Sequence, residues 1–177
     1  AADKRTLLRR VTLDLTGRLP QPEILREFLG DARPNKRALA IDRLLNSPDY
    51  VDYWTYYFAN RFQITSAYYN LIGIPGRNLF HNYLRDFIQQ DRPYYAVAQE
   101  MISASGDSFE KATANFVLRS IQMGDPVQDT WDTLTNDITQ KFLGVETQCV
   151  SCHDGRGHLE QINLYLTGIR RKQFFQQ

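Results

Sequence analysis

Both cysteines of this chain of 177 residues fall inside one pentapeptide, Cys149-Val150-Ser151-Cys152-His153. No disulfide can staple distant segments together, so the fold must be held by what the other side chains bury. Of the residues 42% are hydrophobic, and 10 Tyr, 10 Phe and 2 Trp provide bulk for a core or for lining a large apolar pocket. Such a composition at this length is that of one ordinary globular domain. Disorder, collagen-like order and a disulfide-stapled miniprotein are excluded.

Apolar residues recur at helical spacing along most of the chain. Leu7, Leu8, Val11 and Leu15 share one face, and Gly17 and Pro20 end that element. Pro22 suits a first helical turn, Ile24, Leu25, Phe28 and Leu29 make a second stripe, and Gly30 is expected as its C-terminal cap. A third stripe runs from Lys36 to Leu45, and Ser47 with Pro48 predicts the start of a fourth helix carrying Tyr53, Trp54, Tyr57 and Phe58. The stretch 64–76, with Gly73, Pro75 and Gly76, reads as a surface loop. Helical spacing resumes from Leu79 to Ile88 and from Tyr94 to Met101. Asp107 with Glu110 resembles a capping box opening a helix through Leu118. Trp131, Leu134, Ile138 and Phe142 fall on one face of a long helix closed by Gly144, and a last helical stretch begins near His158. No alternating run competes as a strand. The expected fold is mostly α, a single compact helical domain over residues 1–177.

The net charge of +1 hides three blocks. Residues 1–43 hold ten Lys or Arg against six Asp or Glu, residues 121–154 one against six, and residues 155–177 four against one. Solvated helix faces explain this; so would steering of a charged partner or head-to-tail self-association. The balance lacks the dominant basic face of a nucleic-acid binder. The longest uncharged run, Phe62 to Gly76, is too polar and too rich in Gly and Pro for a transmembrane span. Asp3, Lys4, Arg5, Arg9 and Arg10 rule out a signal peptide at the start, so the sequence is read as having lost one or as a fragment of a longer chain.

Cys149, Cys152 and His153 form the C-x-x-C-H pattern of covalent c-type haem attachment. Two thiols about one turn apart can add to the two vinyl groups along one haem edge, while the next residue presents its imidazole to the iron as proximal ligand. Three rivals use the same residues: a thioredoxin-like dithiol, a zinc site from Cys149, Cys152, His158 and a fourth ligand, and a local disulfide. The dithiol needs a strand before the motif, where this chain has a helix. Adjacent Cys152 and His153 do not easily both point at one ion, which weighs against zinc.

Several stretches resemble a known family: Arg9 to Gly17 with Leu19 and Pro20; Asp42 to Leu45 with Ser47, Pro48, Tyr50 and Trp54; Arg92, Pro93 and Tyr94; and Phe142, Leu143 and Gly144 leading into Gln148 and the cysteine motif. Together they resemble the planctomycete-type cytochrome-c-associated domain of unknown function, over nearly the whole chain. The resemblance implies an extracytoplasmic bacterial protein, periplasmic or extracellular, with a haem-binding signature and no established reaction. The commoner form of that family continues from Cys-His-Asp into a second His and Pro, whereas here Asp154 is followed by Gly155, Arg156, Gly157 and His158.

Candidates for the second axial ligand are His81, His158, Met101 and Met123, of which His81 is favoured. His158 follows His153 by five residues and would have to round the macrocycle to reach the far face of the same iron; a propionate or the haem of a neighbouring copy suits it better. The aromatic run from Tyr50 to Tyr69 reads as core plus haem-pocket wall, with an interaction surface or sugar-stacking platform as the alternative. Asp132 and Asp137 read as solvated, and no nucleophile or acid–base array stands out. The expected function is therefore a monohaem c-type cytochrome, more an electron carrier than an enzyme, with haem c and its iron as cofactor and redox proteins as partners. A peroxidase-like enzyme and a binding module with a structural haem are the alternatives.

Overall fold

The computed structural model describes residues 3–64, 69–121, 124, 126–157, 160, 164–168, 170 and 171. They are mostly α-helical, with no strand among the described residues. The helices are α1 (Lys4–Thr16), α2 (Pro22–Gly30), α3 (Lys36–Leu45), α4 (Pro48–Arg61), α5 (Tyr69–Gln89), α6 (Tyr94–Ile102), α7 (Ala114–Leu118), α8 (Val127–Ile138) and α9 (Leu164–Thr167). A π turn, Thr139–Leu143, extends α8, and a short 3-10 helix covers Gln148–Ser151. The chain divides into two compact units, Ala1–Arg61 with His81–Arg92, and Phe62–Phe80 with Pro93–Gln177.

In the first unit α1 packs on α2, α3 and α4. Its inner face continues the stripe of Leu8 with Thr12 and Thr16, whose hydroxyls donate to Leu8 O at 2.8 Å and Thr12 O at 2.7 Å. A buried hydroxyl satisfied by its own helix costs little, which is why threonine can stand on a core face. Gly17 ends α1 in the left-handed region (φ 65°), beneath the Tyr53 ring. Pro22 opens α2, and the Ser47 hydroxyl accepts the Tyr50 N–H at 3.2 Å to cap α4. Tyr50, Trp54, Tyr57 and Phe58 form a chain of rings along α4 that ends on Phe87, 5.5 Å from Phe58.

In the second unit Phe62, Phe80, Phe116 and Phe142 converge at centroid distances of 5.4–6.2 Å. Phe62, Phe80 and Phe116 are buried, and each such ring contributes about 1.5–3 kcal/mol. Val97 and Met101 are fully buried on α6. Two cations sit against these rings: Arg119 lies over Phe80 and donates to Gln63 O at 2.8 Å, and Lys141 lies over Phe116 while paired to Asp137 at 2.6 Å.

Three sequence readings change. The stretch read as a loop from 64 to 76 enters α5 at Tyr69; Gly73 (φ 65°, ψ 175°) interrupts the helix, which restarts at once with Pro75 in its first turn. A proline there gives up an N–H that has no partner anyway, so the same punctuation that breaks a helix also begins one. Asp107 accepts the Phe109 N–H at 2.8 Å and so makes a turn, not a capping box, and the helix is confined to Ala114–Leu118. Gly30 is the last residue of α2 and not its cap, because the Lys36 ammonium satisfies the carbonyls of Phe28 and Asp31 and no left-handed exit is needed.

Candidate functional site

The Cys149–His153 motif is held by the end of α8. The π turn closes at Gly144 (φ 69°), and the Val145 N–H donates to Thr139 O at 3.1 Å. Thr147, fully buried, then donates its N–H to Asn136 Oδ1 at 3.1 Å, and its hydroxyl meets that of Thr139 at 2.8 Å. These bonds pin the residue just before the 3-10 helix to the last turns of α8. Val150 N–H donates back to Thr147 O at 2.9 Å, and the Val150 side chain is fully buried. With Val150 as the inward anchor, Cys149 and Cys152 stand on the outside of the turn, free and exposed.

His153 is exposed, and its Nδ1 lies 2.7 Å from Asp154 O. A carbonyl only accepts, so Nδ1 carries the proton, and in the neutral ring Nε2 is the nitrogen with the lone pair. Metal-bound histidines commonly hold their second N–H this way. Among the described residues, no three His, Cys, Asp or Glu side chains converge on a point that could hold a metal ion.

Arg171 ties the turn to the rest of the unit. Its N–H donates to Asp154 Oδ1 at 2.9 Å, its Nη2 to Asp132 Oδ2 at 3.2 Å, and its Nε to Ser151 O. Gln128 donates to the other oxygen of Asp132 at 2.7 Å. An open concavity of about 710 Å³ lies here, lined by Asp129, Asp132, Thr133, Ser151, Cys152 and Arg171. On α8, Val127 and Trp131 are four residues apart and expose apolar surface on the helix that supplies Asp129 and Asp132.

Cys149, Cys152 and His153 are all exposed, on or beside one short 3-10 turn. His81 belongs to the first unit and is half-buried on α5. The α4 aromatic rings also belong to the first unit; Tyr56 and Tyr57 there are mostly exposed. Met101 is fully buried in the second unit. Met123 and His158 lie outside the described residues. The aspartates read as solvated are not: Asp132 is held by Arg171 and Gln128, and Asp137 is buried against Lys141. The Asp137 and Lys141 spacing of four residues was a usable signal for that pair. Nothing local pointed to Arg171, which acts on the motif from 20 positions away.

These features define a mostly helical domain that presents a C-x-x-C-H turn at its surface. The chain belongs to the DUF1549 family, described as a protein of unknown function, whose match covers residues 1–162. No curated protein and no solved structure matches it.

Proposed function

We propose that this chain is an extracytoplasmic c-type cytochrome with one haem, passing electrons between redox partner proteins. The observation that carries the reading is the attachment turn: both thiols are free and exposed on one short turn anchored by buried Val150, and the next residue is a histidine whose Nδ1 is engaged by a backbone carbonyl. Cys149 and Cys152 would hold the macrocycle, each S–H adding across one vinyl double bond so that nothing leaves, and His153 would offer Nε2 to the iron. The bound haem would supply a one-electron couple that the side chains themselves lack. Asp154 O keeps the proton on Nδ1 and the ring in one orientation. Arg171 contributes a guanidinium to the adjoining concavity, where it holds Asp132 and the carbonyl of Ser151. The reading places the protein in the periplasm or outside the cell, and the alternating charge blocks suit docking with partners or with further copies.

Expression alongside a cytochrome c maturation system tests it. Expected is a haem-stained band on a denaturing gel, an intact mass raised by one haem, and loss of both in Cys149→Ser and Cys152→Ser. A soluble chain made under those conditions without covalent haem would overturn the reading. A high-spin ferric spectrum with fast cyanide binding would replace electron transfer by a haem enzyme, whereas low-spin bands in both oxidation states support it.

A further inference from the structure

The first unit encloses a second cavity, of about 750 Å³, between α1, α2, α3 and the turn at 18–21. Its size falls in the range of small-molecule sites. Apolar lining comes from Leu8, Ile24, Phe28, Leu39 and Leu44, four of them aliphatic. Five cations line it against three acids. Four of those cations are already neutralised: Arg18 by Asp49 at 3.6 Å, Arg26 by Glu23 at 3.1 Å, Arg33 by Asp31 at 2.8 Å and Arg43 by Glu27 at 3.3 Å.

The fifth, Lys36, differs. Its residue is 9% exposed, and its Nζ lies 5.2 Å over the Phe28 ring. It donates to Phe28 O at 3.1 Å and to Asp31 O at 2.6 Å, both neutral acceptors at the end of α2. An ammonium has three N–H groups, so this seat uses two. The Asp31 carboxylate feels the charge of Lys36 but is taken up by Arg33 through Nε and Nη2. A buried ammonium whose hydrogen bonds go only to carbonyls, with one N–H to spare, is matched by an anion entering the cavity.

We propose that this cavity binds a free alkyl carboxylate of medium chain length, the chain against Leu8, Ile24, Leu39 and Leu44 and the carboxylate on Lys36. One singly charged head suits one spare N–H. A phosphate head would draw on arginine forks, and the four at this rim are engaged. The site is separate from the cysteine motif, so it stands or falls independently of the haem reading.

Calorimetric titration of the whole chain with laurate, kept below its micelle concentration, tests the proposal. Laurate should bind at least tenfold more tightly than its methyl ester, Lys36→Met should weaken laurate at least tenfold, and Arg37→Gln, an exposed cation outside the lining, should leave it unchanged. Absence of laurate binding to the folded wild type overturns the proposal, as does equal affinity for the ester. Equal or tighter binding of dodecyl phosphate overturns the carboxylate assignment. Should Lys36→Met fail to fold, the laurate and ester comparison on the wild type decides alone.

Discussion

Replacing Gly17 with alanine should be among the costliest changes of a single methyl group in the first unit. Gly17 sits at φ 65° and ψ 9°, and a Cβ there would lie 2.4 Å from both Cδ2 and Cε2 of Tyr53. The left-handed conformation costs a residue with a Cβ about 1–2 kcal/mol. Clearing the methyl group requires the Tyr53 ring to turn or α4 to shift, and overpacking of this kind costs about 1–3 kcal/mol. Alanine recovers about 0.4–1 kcal/mol from the narrower unfolded ensemble. The sum is a loss of about 1–4.5 kcal/mol, to be read from urea unfolding followed by circular dichroism, with the m-value unchanged. Gly30→Ala is the matched control: it lies in α2, and a Cβ there meets nothing within 4 Å, so it should stabilise by about 0.5–1 kcal/mol. Measured against Tyr53→Ala alone, the double variant Gly17→Ala/Tyr53→Ala should show only the backbone strain, which isolates the collision as a coupling energy. If Gly17→Ala falls within about 0.5 kcal/mol of the wild type, the reasoning is refuted.

Lys141→Met should destabilise the second unit by about 3–5 kcal/mol by stranding the buried Asp137 carboxylate, and adding Asp137→Leu should restore most of the loss; a double variant no better than the single would contradict this. Arg33 holds the Asp31 carboxyl down to about 2, chiefly through its side-chain hydrogen bonds. A folded value below the ordinary 3.8 means that the stability this group contributes is fully present above that pH and is lost as the pH falls toward about 2. Carboxyl NMR titration of Arg33→Ala should move the Asp31 midpoint back toward 3.8, with a flatter acid limb of stability over that window; an unmoved midpoint would contradict the assignment.

The first four helices were legible because their signals are local. Gly17, Pro22 and Ser47 act through their own backbone or the next turn, and the apolar spacing between them has no competitor. Gly73 to Gly76 misled because glycine and proline report only that the helix is interrupted, while the segment that follows is decided by the burial of Phe80, Leu84 and Phe87. Asp107 misled for a related reason: its carboxylate could take the N–H two residues on or three residues on, and it took the nearer. The cysteine motif was legible as a pattern, yet the outward placement of its thiols depends on Val150 being buried and on Thr147 being bonded to Asn136, contacts that cross 11 positions. Arg171 was beyond reach of any local pattern.

The π turn at Thr139–Leu143 has a consequence for how the family's chains can change length. Its hydrogen bonds span five residues where an α-helix spans four, so it carries one residue more than α8 would need to reach Gly144 in regular form. Deleting one residue there would return the segment to α-helical spacing, so the wide turn absorbs the change and the chain after Gly144 keeps its bearing on α8. A deletion between Gly144 and Thr147 has no such slack: it would draw Thr147 out of reach of Asn136 and Thr139, and the two thiols would lose the outward placement those bonds give them. The π turn is thus a one-residue reserve of length ahead of the cysteines, and their bearing is fixed in the short link from Gly144 to Thr147.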